Sequence, residues 1–118
     1  MNKDNHKRLN EVINYIEKNI TENIDYKELA KILLVNEYTL HRIFSFITNI
    51  SIPEYIRKRR MSLAAQDLLN SNLKIIDVAV KYQYDSATSF SRAFKNFMGF
   101  NPNELKENKN FIKFFPIL

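Results

Sequence analysis

Apolar residues recur every three to four positions along most of the chain, which is the pattern of amphipathic helices. A stripe that begins at Leu9 and ends at Ile20 predicts a first helix over residues 5–19. Cap-forming residues such as Asp25, Asn36, Ser51 and Ser86 mark the starts of further helices. These predicted helices cover residues 25–33, 37–47, 53–70, 75–82 and 86–98, and a seventh, short one starts at Pro102. One glycine and three prolines leave few turns, so we predict an all-α fold of seven helices.

The chain also contains an internal repeat, because residues 29–50 align with residues 78–100. The offset is 49 positions before the turn and 50 after it, so that Arg42 matches Arg92. Each copy reads as a short helix, a tight turn and a longer helix. We therefore predict two helix-turn-helix units joined by the long helix 53–70.

This organisation divides the chain into four parts. We expect a first helix-turn-helix subdomain over residues 1–52, a linker helix over 53–70 and a second subdomain over 71–108. Residues 109–118 form an apolar tail, which we interpret as a possible start of a further domain.

The second helix of each unit has an apolar stripe opposite a polar stripe that lacks carboxylates. The apolar stripes contain Leu40, Ile43, Phe44 and Ile47 in the first unit and Phe90, Ala93, Phe94 and Phe97 in the second. The polar stripes contain Tyr38, His41, Arg42 and Ser45 in the first unit and Thr88, Ser91, Arg92 and Lys95 in the second. Arginine can bridge guanine acceptors, hydroxyls can bond bases or phosphates, and apolar carbon can contact thymine methyl groups. The pattern therefore favours contact with the DNA major groove over two merely solvated faces.

The charge distribution supports this interpretation. The net charge is +5, but residues 1–37 carry a net −1 and residues 38–118 a net +6. Residues 38–53 and 86–103 contain no Asp or Glu, and these windows coincide with the two candidate reading helices. A basic surface without acids suits a polyanion.

Several classes of function find no support in the sequence. With no cysteine there is no disulfide or thiolate metal site, and His41 has no second ligand at metal spacing. No apolar run reaches the roughly 18 residues of a membrane span, and the polar start is no signal peptide. No nucleophile–base–acid set or glycine-rich phosphate loop occurs. We expect a soluble cytoplasmic protein, associated with the nucleoid when bound to DNA, that is not an enzyme and needs no cofactor or metal.

Residues at fixed spacing in the two units and the linker helix resemble the AraC/XylS family of bacterial transcription regulators, over about residues 8–107. The resemblance in the second unit rests on Ile76, Ala79, Tyr84, Asp85, Ser86, Phe90, Ser91, Arg92, Phe94, Lys95, Gly99 and Pro102. In the first unit and the linker helix it rests on Leu29, Ala30, Leu40, His41, Arg42, Ile43, Phe44, Tyr55, Arg60, Met61, Ala64, Leu68 and Leu69. The family usually has glycine in both turns and after the first reading helix, whereas this chain has Leu34, Gln83 and Asn49.

The resemblance implies a homeodomain-like fold and a protein that binds double-stranded DNA as a monomer. Its two reading helices would enter successive major-groove faces about 34 Å apart. The resemblance also implies that the protein activates transcription with RNA polymerase as a partner. A linker helix too short for that span would require the DNA to bend. The base-reading candidates carried over from the family are Tyr38, His41, Arg42, Ala87, Thr88, Ser91 and Arg92. The phosphate-contact candidates are Ser45, Arg57, Arg59 and Lys95. The alternative functions are a protein-interaction module or anti-activator that kept the fold, and, with less support, RNA binding.

Two further features need an interpretation. We expect Tyr55, Tyr82 and Tyr84 to pack between helices, because each occupies an apolar register. The tail 111–118 is too apolar to stay exposed without cost, so it either folds back or pairs with another molecule. It also resembles the segment that leads into a GyrI-like effector-binding domain in Rob-like members. We therefore expect the DNA-binding part of a longer ligand-responsive regulator, with a complete single-domain activator as the alternative.

Overall fold

A computed structural model describes residues 3–118, with side chains from residue 4 onward, and this part of the chain is helical without strands. Its six α-helices are α1 (Lys3–Lys18), α2 (Tyr26–Leu33), α3 (Glu37–Thr48), α4 (Ile52–Asn70), α5 (Ile75–Lys81) and α6 (Ala87–Met98). Two 3-10 turns follow, at Pro102–Glu104 and Lys109–Phe111. No helix within residues 3–118 is both long and apolar enough to cross a membrane.

The all-α prediction is confirmed, but the predicted seventh α-helix is wrong. The segment after Asn101 forms a single 3-10 turn of three residues, Pro102–Glu104. The Asn101 amide donates to the Glu104 carboxylate over 2.9 Å, which closes the turn at its start. The Asn108 side-chain amide donates to the Glu104 carbonyl over 2.8 Å. The backbone bonds from Glu104 to Asn101 and from Leu105 to Pro102 span three residues, as in a 3-10 turn, and not four as in an α-helix.

The chain divides into two compact units. The first runs to Ile56 and also includes Ile117 and Leu118, and the second comprises Arg57–Pro116. The division falls within α4, whose first turn belongs to the first unit and whose remainder belongs to the second.

The first unit has a core made by three helices and the start of α4. Helix α1 packs against α2, and α2 packs against α3. The buried apolar residues are Leu9, Val12, Ile13, Ile16, Ile20, Leu29, Ala30, Leu40, Phe44, Ile52, Tyr55 and Ile56. The Tyr55 ring lies 5.7 Å from that of Phe44, measured between centroids, so the prediction that Tyr55 packs between helices is confirmed.

The second unit has its own core between α4, α5 and α6. The buried cluster comprises Met61, Ala64, Ala65, Val78, Ala79, Tyr82, Phe90, Phe94, Met98 and Leu105. Tyr82 is buried and its hydroxyl donates to Asp67 Oδ2 over 2.7 Å. Tyr84 is half-buried with its ring edge-on to Phe90, and burial raises the pKa of its phenol, against the opposing effect of Arg57 and Arg60. The packing roles predicted for Tyr82 and Tyr84 are therefore confirmed.

Both helix-turn-helix turns adopt the same left-handed conformation without glycine. Leu34 has φ 59° and Gln83 has φ 72°. In the first turn the Val35 amide donates to the Ala30 carbonyl over 3.0 Å. The equivalent bond in the second turn is from Tyr84 to Ala79, over 2.9 Å. This is the Schellman pattern that ends many helices, so the two turns share one geometry despite their different side chains.

The helices that follow these turns also end alike. Asn49 closes α3 with φ 61°, and Gly99 closes α6 with φ 92°. Their amides donate to the carbonyls of Ser45 and Lys95, over 2.9 and 2.8 Å. Asparagine is among the few side chains that visit this conformation readily, which explains how it replaces glycine in the first unit.

The tail is tied to α4 through the backbone of Phe115. The Phe115 amide donates to Ser62 Oγ over 2.8 Å, and its carbonyl accepts from Arg59 Nη1 over 2.6 Å. The Arg59 guanidinium carbon lies 5.5 Å from the centroid of the Phe114 ring. Arg59 is only 3% exposed as a result. Of the two alternatives for the tail, the structure shows the one in which it folds back.

We expect Leu34→Gly and Gln83→Gly each to raise the free energy of unfolding. A left-handed residue other than glycine costs about 1–2 kcal/mol, and the greater freedom of glycine in the unfolded chain returns part of this, about 0.4–1 kcal/mol. The net gain should therefore be about 0.5–1 kcal/mol, measured by chemical denaturation. Asn49→Gly is the matched control and should gain less. A loss of stability in Leu34→Gly would show that its side chain contributes more than the strain costs.

Arg59→Met should lower the free energy of unfolding by about 1.5–3 kcal/mol, because a charge-assisted bond to the Phe115 carbonyl is lost. Trypsin should also cleave after Lys113 faster as the tail loosens. Arg57→Met, two positions earlier and exposed, should change stability by less than about 0.5 kcal/mol. Equal effects of the two substitutions would contradict a specific anchor at Arg59.

Candidate nucleic-acid interface

The exposed face of α3 is set by its cap and by its buried face. The Asn36 side chain accepts the Thr39 amide over 2.8 Å, which starts the helix at Glu37. Leu40 and Phe44, one turn apart, are completely buried. Because opposite faces of a helix are about half a turn apart, this burial presents the predicted polar stripe to solvent.

Tyr38 and Arg42 lie together on that exposed face. Tyr38 is 70% exposed, and the Arg42 guanidinium carbon is 5.7 Å from the centroid of its ring. Such a cation–π contact restrains both side chains while leaving the guanidinium donors available. An arginine held in this way can meet the paired acceptors of a guanine edge.

The other two candidate residues on α3 are less exposed to solvent than Tyr38 and Arg42. His41 is half-buried, and its ring meets the ring of Tyr26 on α2 edge-on, with centroids 4.9 Å apart. Ser45 is also half-buried, and its carbonyl accepts the Asn49 amide. Only the outer parts of these two side chains are accessible to a ligand.

Helix α6 presents the second set of candidates in the same way. Ser86 Oγ accepts the Ser89 amide over 3.0 Å, while Ser89 Oγ accepts the Ser86 amide over 3.3 Å, which completes a capping box. Phe90 and Phe94 are completely buried. On the opposite side the structure leaves Thr88, Arg92 and Lys95 exposed and Ala87 and Ser91 half-buried.

The basic run on α4 does not act as one surface. Arg57 is exposed and Lys58 and Arg60 are half-buried, whereas Arg59 is buried. The prediction that Arg59 contacts a phosphate is corrected by this geometry, because its guanidinium is engaged by the Phe115 carbonyl and the Phe114 ring. Four consecutive helical residues point in different directions, and the sequence does not indicate which one the tail covers.

Two residues have environments that the sequence pattern does not predict. Phe46 is 88% exposed although it lies on the candidate reading helix. It falls outside the core stripe, and an apolar residue off that stripe in an acid-free window was the signal available. Ser62 is buried as the partner of the tail, and nothing in the sequence pattern pointed to it.

These features define a helix-turn-helix protein with two equivalent units. Comparison with known proteins agrees, since residues 29–108 match the model of a helix-turn-helix domain family. The match includes both turns and α4. The chain belongs to the AraC/XylS family of DNA-binding transcription regulators.

Three similar proteins illustrate the relationship. The chain is 37% identical over 95 residues to the HTH-type transcriptional activator AarP of Providencia stuartii, covering 80% of this chain and 70% of AarP. It is 36% identical over 89 residues to the uncharacterized HTH-type transcriptional regulator YbfP of Bacillus subtilis, covering 75% of this chain but only 30% of YbfP. A crystal structure of an AraC-type transcriptional regulator from Chromobacterium violaceum superimposes with a TM-score of 0.80 at 22% identity, covering 92% of this chain and 96% of that one. This structural likeness concerns the fold.

Proposed function

We propose that this protein activates transcription by binding an asymmetric double-stranded DNA site as a monomer, with α3 and α6 each inserted in the major groove. The observation that carries the proposal is the equivalence of the two units. Each has the same turn, two completely buried residues on its second helix, and an exposed arginine at the same place, Arg42 or Arg92. Because one chain carries two helices that can each read DNA, binding does not require a symmetric dimer.

Within this proposal the two helices have different roles. The paired Tyr38 and Arg42 side chains read bases in the first half of the site, and His41 contributes its outer edge. In the second half, Arg92 is the main reader, with Thr88, Ser91 and Ala87 contacting neighbouring base edges. The exposure of Arg42 and Arg92, and the lack of carboxylates over residues 38–53 and 86–103, support this assignment.

Phosphate contacts place these readers without recognising sequence. Arg57 and Lys95 are the proposed phosphate ligands because both are exposed, and the accessible part of Ser45 adds a hydroxyl. The relatives' names, transcriptional activator and transcriptional regulator, support a function at promoters. We infer that the protein acts in the cytoplasm with RNA polymerase as its partner. An additional ligand-binding domain of the GyrI-like kind stays a prediction.

Selection from a random DNA duplex library tests this function. We expect one asymmetric motif to be enriched. Arg42→Ala and Arg92→Ala should each cost about 1–3 kcal/mol of binding and relax the preference at a few adjacent base pairs, in opposite halves of the motif. Arg57→Ala is the charge-matched control and should weaken all sequences alike. Failure to enrich any motif would contradict sequence-specific binding and favour the protein-interaction alternative.

Salt dependence provides an independent test. Because each neutralised phosphate releases counterions, the logarithm of the binding constant should fall linearly with the logarithm of salt concentration. Removing Arg57 or Lys95 should make that slope shallower by about one unit each. Arg59→Ala should leave the slope unchanged. A flat response in the unmodified protein would argue against phosphate engagement.

A further inference from the structure

The first unit has an open groove, and Tyr38 and Arg42 are the base readers of the proposed function among its lining residues. It has a volume of about 650 Å³ and is formed by α1, the end of α2 and one side of α3. Its walls are apolar and comprise Leu9, Leu33, Val35, Ile43 and Ile47. Tyr38 and Phe46 add two exposed aromatic rings to its lining. This volume lies within the range of about 300–1,000 Å³ that is usual for small-molecule sites.

The second unit serves as an internal control for these exposed apolar residues. Phe46 corresponds to Asn96 and Tyr38 to Thr88 at an offset of 50, and both counterparts are exposed polar residues. Leu34, beside the groove, corresponds to the exposed Gln83. Because both units have the same turn and the same helix ends, the fold does not require apolar side chains at these places. An exposed apolar patch that is not required by the fold indicates a binding surface.

The charge of the groove limits its ligand. Arg42 is the charged residue among the described residues that line it, and no carboxylate does. The other polar lining residues, Asn5 and Thr39, are neutral. A ligand with an apolar body and one negative group matches this arrangement, because the body can bury itself against the walls while the anion pairs with Arg42.

We propose that this groove binds a small aromatic anion, a carboxylate or sulfonate, whose ring system packs against Tyr38 and Phe46 and whose charge pairs with Arg42. The consequence for regulation rests on the proposed function. Because Tyr38 and Arg42 are also the proposed base readers of the first unit, the ligand and specific DNA would compete. The groove is thereby a site at which a metabolite of this class would lower DNA affinity directly.

Binding of the fluorescent anion anilinonaphthalene sulfonate to the DNA-free protein tests the site. Phe46→Asn, which introduces the residue found at position 96, should weaken the probe about threefold to tenfold. Arg42→Gln should weaken it about twofold to fivefold, while leaving the uncharged analogue phenylnaphthylamine almost unaffected. The matched controls are Phe111→Asn, an exposed aromatic of the second unit, and Arg92→Gln, the equivalent arginine of the second unit. Both controls should bind the probe as the unmodified protein does.

Three results would overturn the proposal. The first is a probe affinity that is unchanged in Phe46→Asn or reduced in Phe111→Asn, which would place the probe elsewhere. The second is probe affinity that falls as protein concentration rises, which would mean that a second copy fills the groove. The third is simultaneous binding of the probe and the selected duplex. Because the probe is titrated without DNA, failure of this site and failure of DNA binding are observed separately.

Discussion

The burial of two residues on each recognition helix is the constraint on which the rest of the site depends. Leu40 and Phe44 in α3, and Phe90 and Phe94 in α6, lie one turn apart and have no exposed surface. A helix fixed along one face cannot rotate without exposing those side chains, at about 25 cal/mol for each Å² of apolar surface. The side chains on the opposite face are therefore held in a defined orientation. Arg42 and Arg92 owe their equivalent exposure to this packing, and the Tyr38 ring restrains Arg42 further.

The left-handed turns keep a strained backbone, and this conformation preserves the arrangement of the two helices on either side of each turn. Leu34 is 70% exposed, so its side chain gains little from burial while its backbone is strained. The turn persists because the bond from Val35 to Ala30 ends α2 and Asn36 immediately caps α3. A relaxed backbone at Leu34 would disrupt both. The surrounding hydrogen bonds thus enforce a conformation that the local residue disfavours.

Much of the fold follows from the sequence, because apolar periodicity and capping residues act locally. The helix starts at Asn36 and Ser86 and the buried stripe of α6 are local patterns of this kind. The missing seventh helix is different, since Asn101 and Glu104 form a capping box like that of a helix start, yet the backbone bonds to Asn101 and Pro102 span three residues and not four. In the candidate site, the sequence indicates which side chains point away from the core. It does not give their degree of exposure, which for His41 depends on Tyr26 of another helix.

Arg59 illustrates the limit of reading charge from a sequence. A run of four basic residues is typical of a polyanion-binding surface, yet the structure uses one of them to hold a carbonyl 56 positions away. The apolar tail and the basic run each have an unusual composition when considered alone. Together they form a single anchor, in which the Phe114 ring covers the guanidinium and the Phe115 backbone is bonded by Arg59 and Ser62. A buried arginine needs such a partner, because removing an uncompensated charge from water is costly. Arg59 could not also contact DNA unless the tail were first released. The number of basic residues therefore overestimates the charge available for DNA binding.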